Sequence, residues 1–297
     1  MISRPVLHLL MTISAFLVST TFIVGAAITR GLDPALLTLF RFLLAASIMG
    51  PMVHNRCGLR VSWQAIFRYG CISLSLVIFF WCMFLSLRYT SAFNNSVLFT
   101  LVPLISSLYA FVLIGERLGR GKFMALGCGL LGAVWVISQG DPTRILHLSW
   151  NRGDAIFLAG CLAMGLYTPL VHLLHRGEPM LRMTFWVLVT GCCWLLLFTA
   201  PSLMQLSFAA VSLHVWIGIA YLAVFTTIIT FFLTQFVTLR LGSTVVMSYS
   251  YLYPPFVLVI ELALGRGLPD PKIWPGILLI SVAMLILFRA GSRQQDV

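Results

Sequence analysis

The sequence predicts an all-α membrane protein of ten transmembrane helices in two inverted five-helix repeats, and three observations lead there. Composition is the first: hydrophobic residues make up 60% of the chain and charged residues 9%, where a soluble domain carries about a quarter charged. Spacing is the second. Apolar stretches of about 20 residues, the length that crosses a bilayer, recur at approximately 5–28, 34–53, 67–87, 92–114, 122–139, 154–174, 182–200, 214–237, 243–264 and 272–289. Internal repetition is the third: a shift of 152 positions lays Phe79, Phe80, Arg88, Ser91, Ser96 and Pro103 over Phe231, Phe232, Arg240, Ser243, Ser248 and Pro255. The repeats then run over residues 1–140 and 150–291.

Each boundary has its own chemistry. The first span opens after Arg4 and Pro5, and its apolar run is too long for the core of a signal peptide. Gly31, Asp33 and Pro34 separate it from the second, and His54 to Arg60 separate the second from the third. Later turns carry Gly140, Asp141 and Pro142, then Gly177, Glu178 and Pro179, then Gly267, Pro269, Asp270 and Pro271. These connections are short, so no soluble domain of any size fits between them.

Parity decides orientation. Spans three to five correspond to spans eight to ten, so each copy holds five, and an odd number turns the second copy over in the membrane. With the N-terminus cytoplasmic, one face collects Arg4, Arg56, Arg60, Arg68, Arg117, Arg120, Lys122, Arg176, Arg182, Arg240, Arg289 and Arg293. The opposite face has Arg30, Arg88, Arg144, Arg152, Arg266 and Lys272. This bias of about two to one places both termini in the cytoplasm of a cell, in a bacterial inner membrane.

Several functions are excluded at this level. The net charge of +11 comes from arginines scattered singly between apolar runs, a positive-inside pattern rather than a nucleic-acid-binding face. The seven cysteines include no CxxC and read as small packing residues. His172 and His175 lie three apart with no third ligand adjoining, so no metal is expected. With no phosphate-binding loop, nucleophile elbow or zinc motif, the chain does not read as an ATPase, its leading reading is not an enzyme, and no cofactor is implied.

Several segments resemble a known family. The run from Leu32 to Ala46 containing Arg41, the run from Leu87 to Ala92, the segment from Pro103 to Gly115, Glu116 and Arg117, and Gly153 with Asp154 are similar to the EamA-type branch of the drug/metabolite transporter superfamily. The resemblance spans nearly the whole chain in two copies. It implies ten helices in two inverted halves and movement of small metabolites, without naming one. Two departures stand out: Val18 occupies the place where the family commonly has tryptophan, and the second copy reads Gly267, Leu268, Pro269 where a Gly-Glu pair would fall.

Candidate site residues follow from polarity at membrane depth. Asn94 and Asn95 begin the fourth span, and Asn95 shares a helical face with Ser91, Ser106 and Tyr109. Such a face either lines a wet cavity or hydrogen-bonds to neighbouring helices. Pro103 and the pair Pro254 and Pro255 interrupt equivalent helices, marking either a midplane site or packing kinks. Glu261 shares a face with Ser243 and Ser250 and is either a proton carrier that couples transport or a boundary carboxylate paired with Arg266.

Trp81, Phe99, Tyr167, Tyr221 and Tyr251 lie inside spans rather than in interfacial belts, which makes them candidates for the wall of a binding site or for the core. Tyr221, Phe225, Phe232 and Gln235 share a face of the eighth span. Arg41, Arg88 and Arg240 read as structural cations that snorkel, cap carbonyls or pair with an acid. The expected function is secondary transport, more in the manner of an exporter, of a small polar or amphipathic metabolite such as an amino acid. The expected partners are that substrate, protons through Glu261, and the lipid bilayer. A lipid scramblase or intramembrane enzyme is the alternative.

Overall fold

The computed structural model describes residues 3–115, 119–141, 143, 151–241, 243–267 and 270–293, and among these there is helix and turn but no strand. Local signals place the ends. α1 (Arg4–Ile28) starts with Pro5 in its first turn. α2 (Pro34–Cys57) is capped by Asp33, whose carboxylate accepts from the N–H groups of Ala35 and Leu36, and it ends at Gly58 with φ +71°. Ser62 caps α3 (Trp63–Ser86) by accepting from the Ala65 N–H, so the helix begins four residues ahead of the expected start at 67. Ser91 caps α4 (Ala92–Phe99) in the same way from Asn94.

The expected fourth span is therefore not one uninterrupted helix. α4 stops at Phe99, and α5 (Val102–Ile114) restarts with Pro103 in its first turn. α6 (Arg120–Ile137) follows, then α7 (Arg152–Leu174), capped by Asn151, and α8 (Met180–Met204). Next come α9 (Leu213–Ala223), a π-helical segment (Val224–Ile229) and α10 (Thr230–Leu241) as one continuous rod. The second broken span consists of α11 (Ser243–Ser248), a 3-10 turn (Tyr249–Leu252) and α12 (Tyr253–Ala263), and α13 (Trp274–Arg293) closes the chain.

Eight helical segments among the described residues are long and apolar enough to cross a membrane. The expected fifth and tenth spans appear as shorter apolar helices, Phe123–Ile137 and Pro271–Ile286. Those two pack closely together. A Cβ on Gly132 would lie 2.7 Å from the Gly276 carbonyl oxygen, and one on Gly276 would lie 2.8 Å from that of Gly132. Such small-residue crossings bring helix backbones together in membranes.

Elsewhere α3 packs on α7, α2 on α8, α5 on α7, and α1 on α10 and α12. The main core runs through the middle, with Phe22, Phe42, Phe84 and Phe157 fully buried. Large apolar side chains such as Val112, Leu197, Phe198 and Val259 are exposed instead. An outer surface of this kind suits hydrocarbon and, with the eight spanning-length helices, makes this a multi-pass membrane protein.

Candidate functional site

The two broken spans meet at the centre. Phe99 is the last residue of α4 and Tyr253 the first of α12, and their rings lie 5.3 Å apart. Proline causes both interruptions, because it has no N–H to donate and cannot sit in a helix interior without loss. Three further helices wall this junction. Phe22 of α1 is 6.1 Å from Phe99 and 6.1 Å from Phe157 of α7, while Phe79 of α3 is 5.6 Å from Phe99 and 6.0 Å from Phe157. The aromatic cluster thus draws on helices from both halves of the sequence.

Arg41 lies at one end of this cluster. Its guanidinium carbon sits 4.2 Å over the Phe80 ring, and Phe80 is 4.9 Å from Phe79. Only 2% of the residue is exposed. Nε donates to Thr227 Oγ1 at 2.9 Å, and Nη2 donates to the Thr226 carbonyl and to Thr226 Oγ1 at 3.3 and 3.2 Å. The π-helical segment presents these two consecutive threonines together, since its widened turn brings both hydroxyls within reach of the Leu222 carbonyl. Nη1 is buried with no acceptor, and no carboxylate among the described residues pairs with Arg41.

Asn95 is fully buried on α4, where Nδ2 donates to Ser86 Oγ at 2.7 Å and Oδ1 has no donor among the described residues. Asn94 belongs to a different network near the end of the helix: its Nδ2 donates to Thr90 Oγ1, which donates to the buried carboxylate of Asp154 at 2.6 Å.

Comparison with known proteins settles what kind of molecule holds this arrangement. The model of the EamA-like transporter family matches residues 6–138 and 151–289. This chain belongs to the EamA-like transporter family. The uncharacterized transporter YyaM of Bacillus subtilis strain 168 is 23% identical over 251 residues, covering 84% of this chain and 82% of the relative. An uncharacterized transporter of Archaeoglobus fulgidus is 24% identical over 270 residues, covering 89% and 90%. A solved crystal structure shares the fold at a TM-score of 0.66 and 18% identity, over 98% of this chain and 99% of that one.

In this EamA-family transporter the sequence-predicted residues fall in several places. Phe99, Pro103, Pro254 and Pro255 are at the central breaks, and Asn95 lies on the short helix leading into the first. Tyr251 is 2% exposed in the 3-10 turn, and its ring lies so close to α6 that a Cβ on Gly129 would fall 2.9 Å from it. Tyr221 donates to or accepts from Thr20 Oγ1 at 2.9 Å and stacks on Phe225 at 5.0 Å. Tyr167 packs in a separate cluster with Tyr69, Met183 and Val187, while Trp81 is 44% exposed on α3.

Two helical faces expected from ideal geometry are changed by the backbone. The line Ser91, Asn95, Ser106, Tyr109 crosses the break at Thr100 and Leu101, and Ser91 is engaged as the α4 cap. The line Tyr221, Phe225, Phe232, Gln235 crosses the π-helical segment, which shifts the register between its two ends. Glu261 pairs with Arg266 at 3.4 Å near the end of α12. The side chain of Ser243, its expected neighbour on that face, and Glu116 with Arg117 lie outside the described residues.

Arg88 and Arg240 have the structural roles expected of them. Arg88 caps the end of the first span by donating to the carbonyls of Thr29 and Leu32, both at 2.9 Å. Arg240 donates to the Phe236 carbonyl at 2.7 Å and lies over the Phe236 ring. Arg41 likewise donates to a carbonyl, that of Thr226, but it is 2% exposed and no acid pairs with it among the described residues. Its signal was already in the sequence as a lone cation in mid-span, with Thr226 and Thr227 in another span.

A second charged site sits at the ends of α3 and α7. Arg60, Arg68, Arg176, Arg182, Tyr69 and Glu178 line a cavity of about 380 Å³. Arg68 pairs with Glu178 at 3.5 Å, Tyr69 donates to the same carboxylate at 2.9 Å, and the Arg176 N–H donates to its other oxygen at 2.8 Å. Burial pushes the Glu178 carboxyl up, but the backbone N–H groups of Glu178 and Arg176, the Tyr69 hydroxyl and the Arg68 charge together bring it below its ordinary value.

Proposed function

We propose that this transporter is a secondary active exporter of a small polar or amphipathic metabolite such as an amino acid. Transport runs by alternating access between two inverted five-helix halves, residues 1–140 and 150–291. The carrying observation is the contact between the two proline-started breaks through Phe99 and Tyr253. Broken helices at the repeat interface are where transporters of this construction hold substrate, because freed carbonyls and helix ends there can face a ligand. The packing pattern supports the same reading. Exchanging first-half helices for second-half ones maps the α3–α7 contact onto that of α1 with the α9–α10 rod, and it leaves α2–α8 and α6–α13 unchanged.

In this reading both termini are cytoplasmic, in a bacterial inner membrane, and Asn95 and the central aromatics form the substrate wall. Glu261 is 16% exposed at its side chain and already holds Arg266, so this reading gives Glu261 no proton to carry. The test is counterflow in proteoliposomes with labelled amino acids, nucleosides and aromatic cations. Exchange of one class, lowered about tenfold by Asn95→Ala, supports the reading. No exchange of any class, with lipid flipping in the same vesicles, would replace the carrier with a scramblase.

A further inference from the structure

We propose that Arg41 is the anchor for a single carboxylate on the transported molecule, so that the substrate class is a molecule with one carboxylate and an apolar body. This rests on the transport reading and deepens it. A guanidinium has five N–H donors. Three are used, on Thr227 Oγ1, the Thr226 carbonyl and Thr226 Oγ1, and the two on Nη1 are unused and buried. A full charge at membrane depth is costly unless paired, and among the described residues no carboxylate pairs with this one.

The groups that Arg41 touches have hydrogen-bond partners of their own. Thr226 and Thr227 both donate their hydroxyls to the Leu222 carbonyl, and the Thr226 carbonyl accepts from Thr230 Oγ1 at 3.0 Å. Removing Arg41 therefore leaves its neighbours hydrogen-bonded. Arg88 and Arg240, by contrast, spend their donors on carbonyls near helix ends. A cation that is expensive to bury, unneeded by its neighbours and short of one negative charge is suited to a mobile anion. One buried positive charge is balanced by one carboxylate, whereas a second carboxylate would leave a surplus charge in the same low dielectric. The apolar body is set by the rings that begin at the guanidinium, Phe80, then Phe79, then Phe99.

Two measurements test this, one of which needs no transport. Thermal unfolding of the purified wild-type protein is followed with 3-phenylpropanoate, with L-phenylalanine, and with the methyl ester of each. Stabilisation by a carboxylate and not by its ester is expected; no stabilisation, or equal stabilisation by acid and ester, overturns the proposal. Arg41→Met without ligand is expected to unfold at the wild-type temperature or above, as buried charges replaced by apolar groups often do. A fall of more than about 5 °C assigns Arg41 to the fold and overturns the proposal. In counterflow, Arg41→Met is expected to lose carboxylate exchange about tenfold or more, with Arg41→Lys keeping part of it. Exchange that persists in Arg41→Met overturns the anchor while leaving the carrier standing; absence of all exchange in the wild type removes the carrier, and the ester comparison then decides the anchor alone.

Discussion

Arg41 and Arg68 are both arginines packed among helices, and their surroundings differ in one respect. Arg68 stands at the rim, where Glu178 supplies a carboxylate at 3.5 Å and Leu174 a carbonyl. Arg41 stands in the interior, where among the described residues it finds two hydroxyls and a carbonyl but no negative charge. The rim is where a charge is cheap, because water and loops can share it, yet the rim arginine is the one with a permanent counter-ion. A cation with a built-in partner serves the structure. A cation left without one, where isolation is most expensive, marks a place for a partner that comes and goes.

The sharpest way to break this comparison is at Arg41. Its replacement by Met is expected to cost about tenfold or more in carboxylate exchange with no loss of thermal stability, and the reverse outcome would make the two arginines alike. Glu178→Gln should show the mirror image. It removes the negative partner of Arg68 and weakens the acceptor of Tyr69, so stability falls by about 1–2 kcal/mol, read by thermal unfolding, while exchange per folded molecule stays within about twofold of the wild type.

The pH dependence sharpens the rim site further. Because the Glu178 carboxyl is held below its ordinary value of 4.5, its contribution is complete above that value and drains away as pH falls through the lower folded value. Unfolding followed from pH 6 downward should therefore lose more stability in the wild type than in Glu178→Gln. The smallest effect is expected at Glu261: with Arg266 as partner, Glu261→Gln should leave exchange and its pH profile nearly unchanged. A lost response to a proton gradient in that variant would restore the coupling role to Glu261.

Much of the architecture was legible in the chain. Span ends were set by local chemistry that sequence displays, such as Asp33 ahead of Pro34 or Ser91 ahead of Ala92, and the breaks were signalled by Pro103 and by Pro254 with Pro255. The site was less legible. Tyr167 and Trp81 looked equivalent to Phe99 as intramembrane aromatics, but which side of a helix meets the centre depends on its partners, and those two face elsewhere. Helical register could not be carried across Thr100 or across the π-helical segment, because both alter the 3.6-residue period that such reasoning assumes.

Sequence alone determined that this is a multi-pass helical protein of repeated pattern, since apolar length and proline placement act within a few residues of chain. Tertiary structure alone decided that Phe99 meets Tyr253, that Glu261 pairs with Arg266, and that Arg41 has Thr226 and Thr227 beside it but, among the described residues, no acid. The physical reason is range: capping and hydrophobic periodicity are local, whereas the balance of a buried charge depends on residues 185 and more positions away that only packing brings within 4 Å.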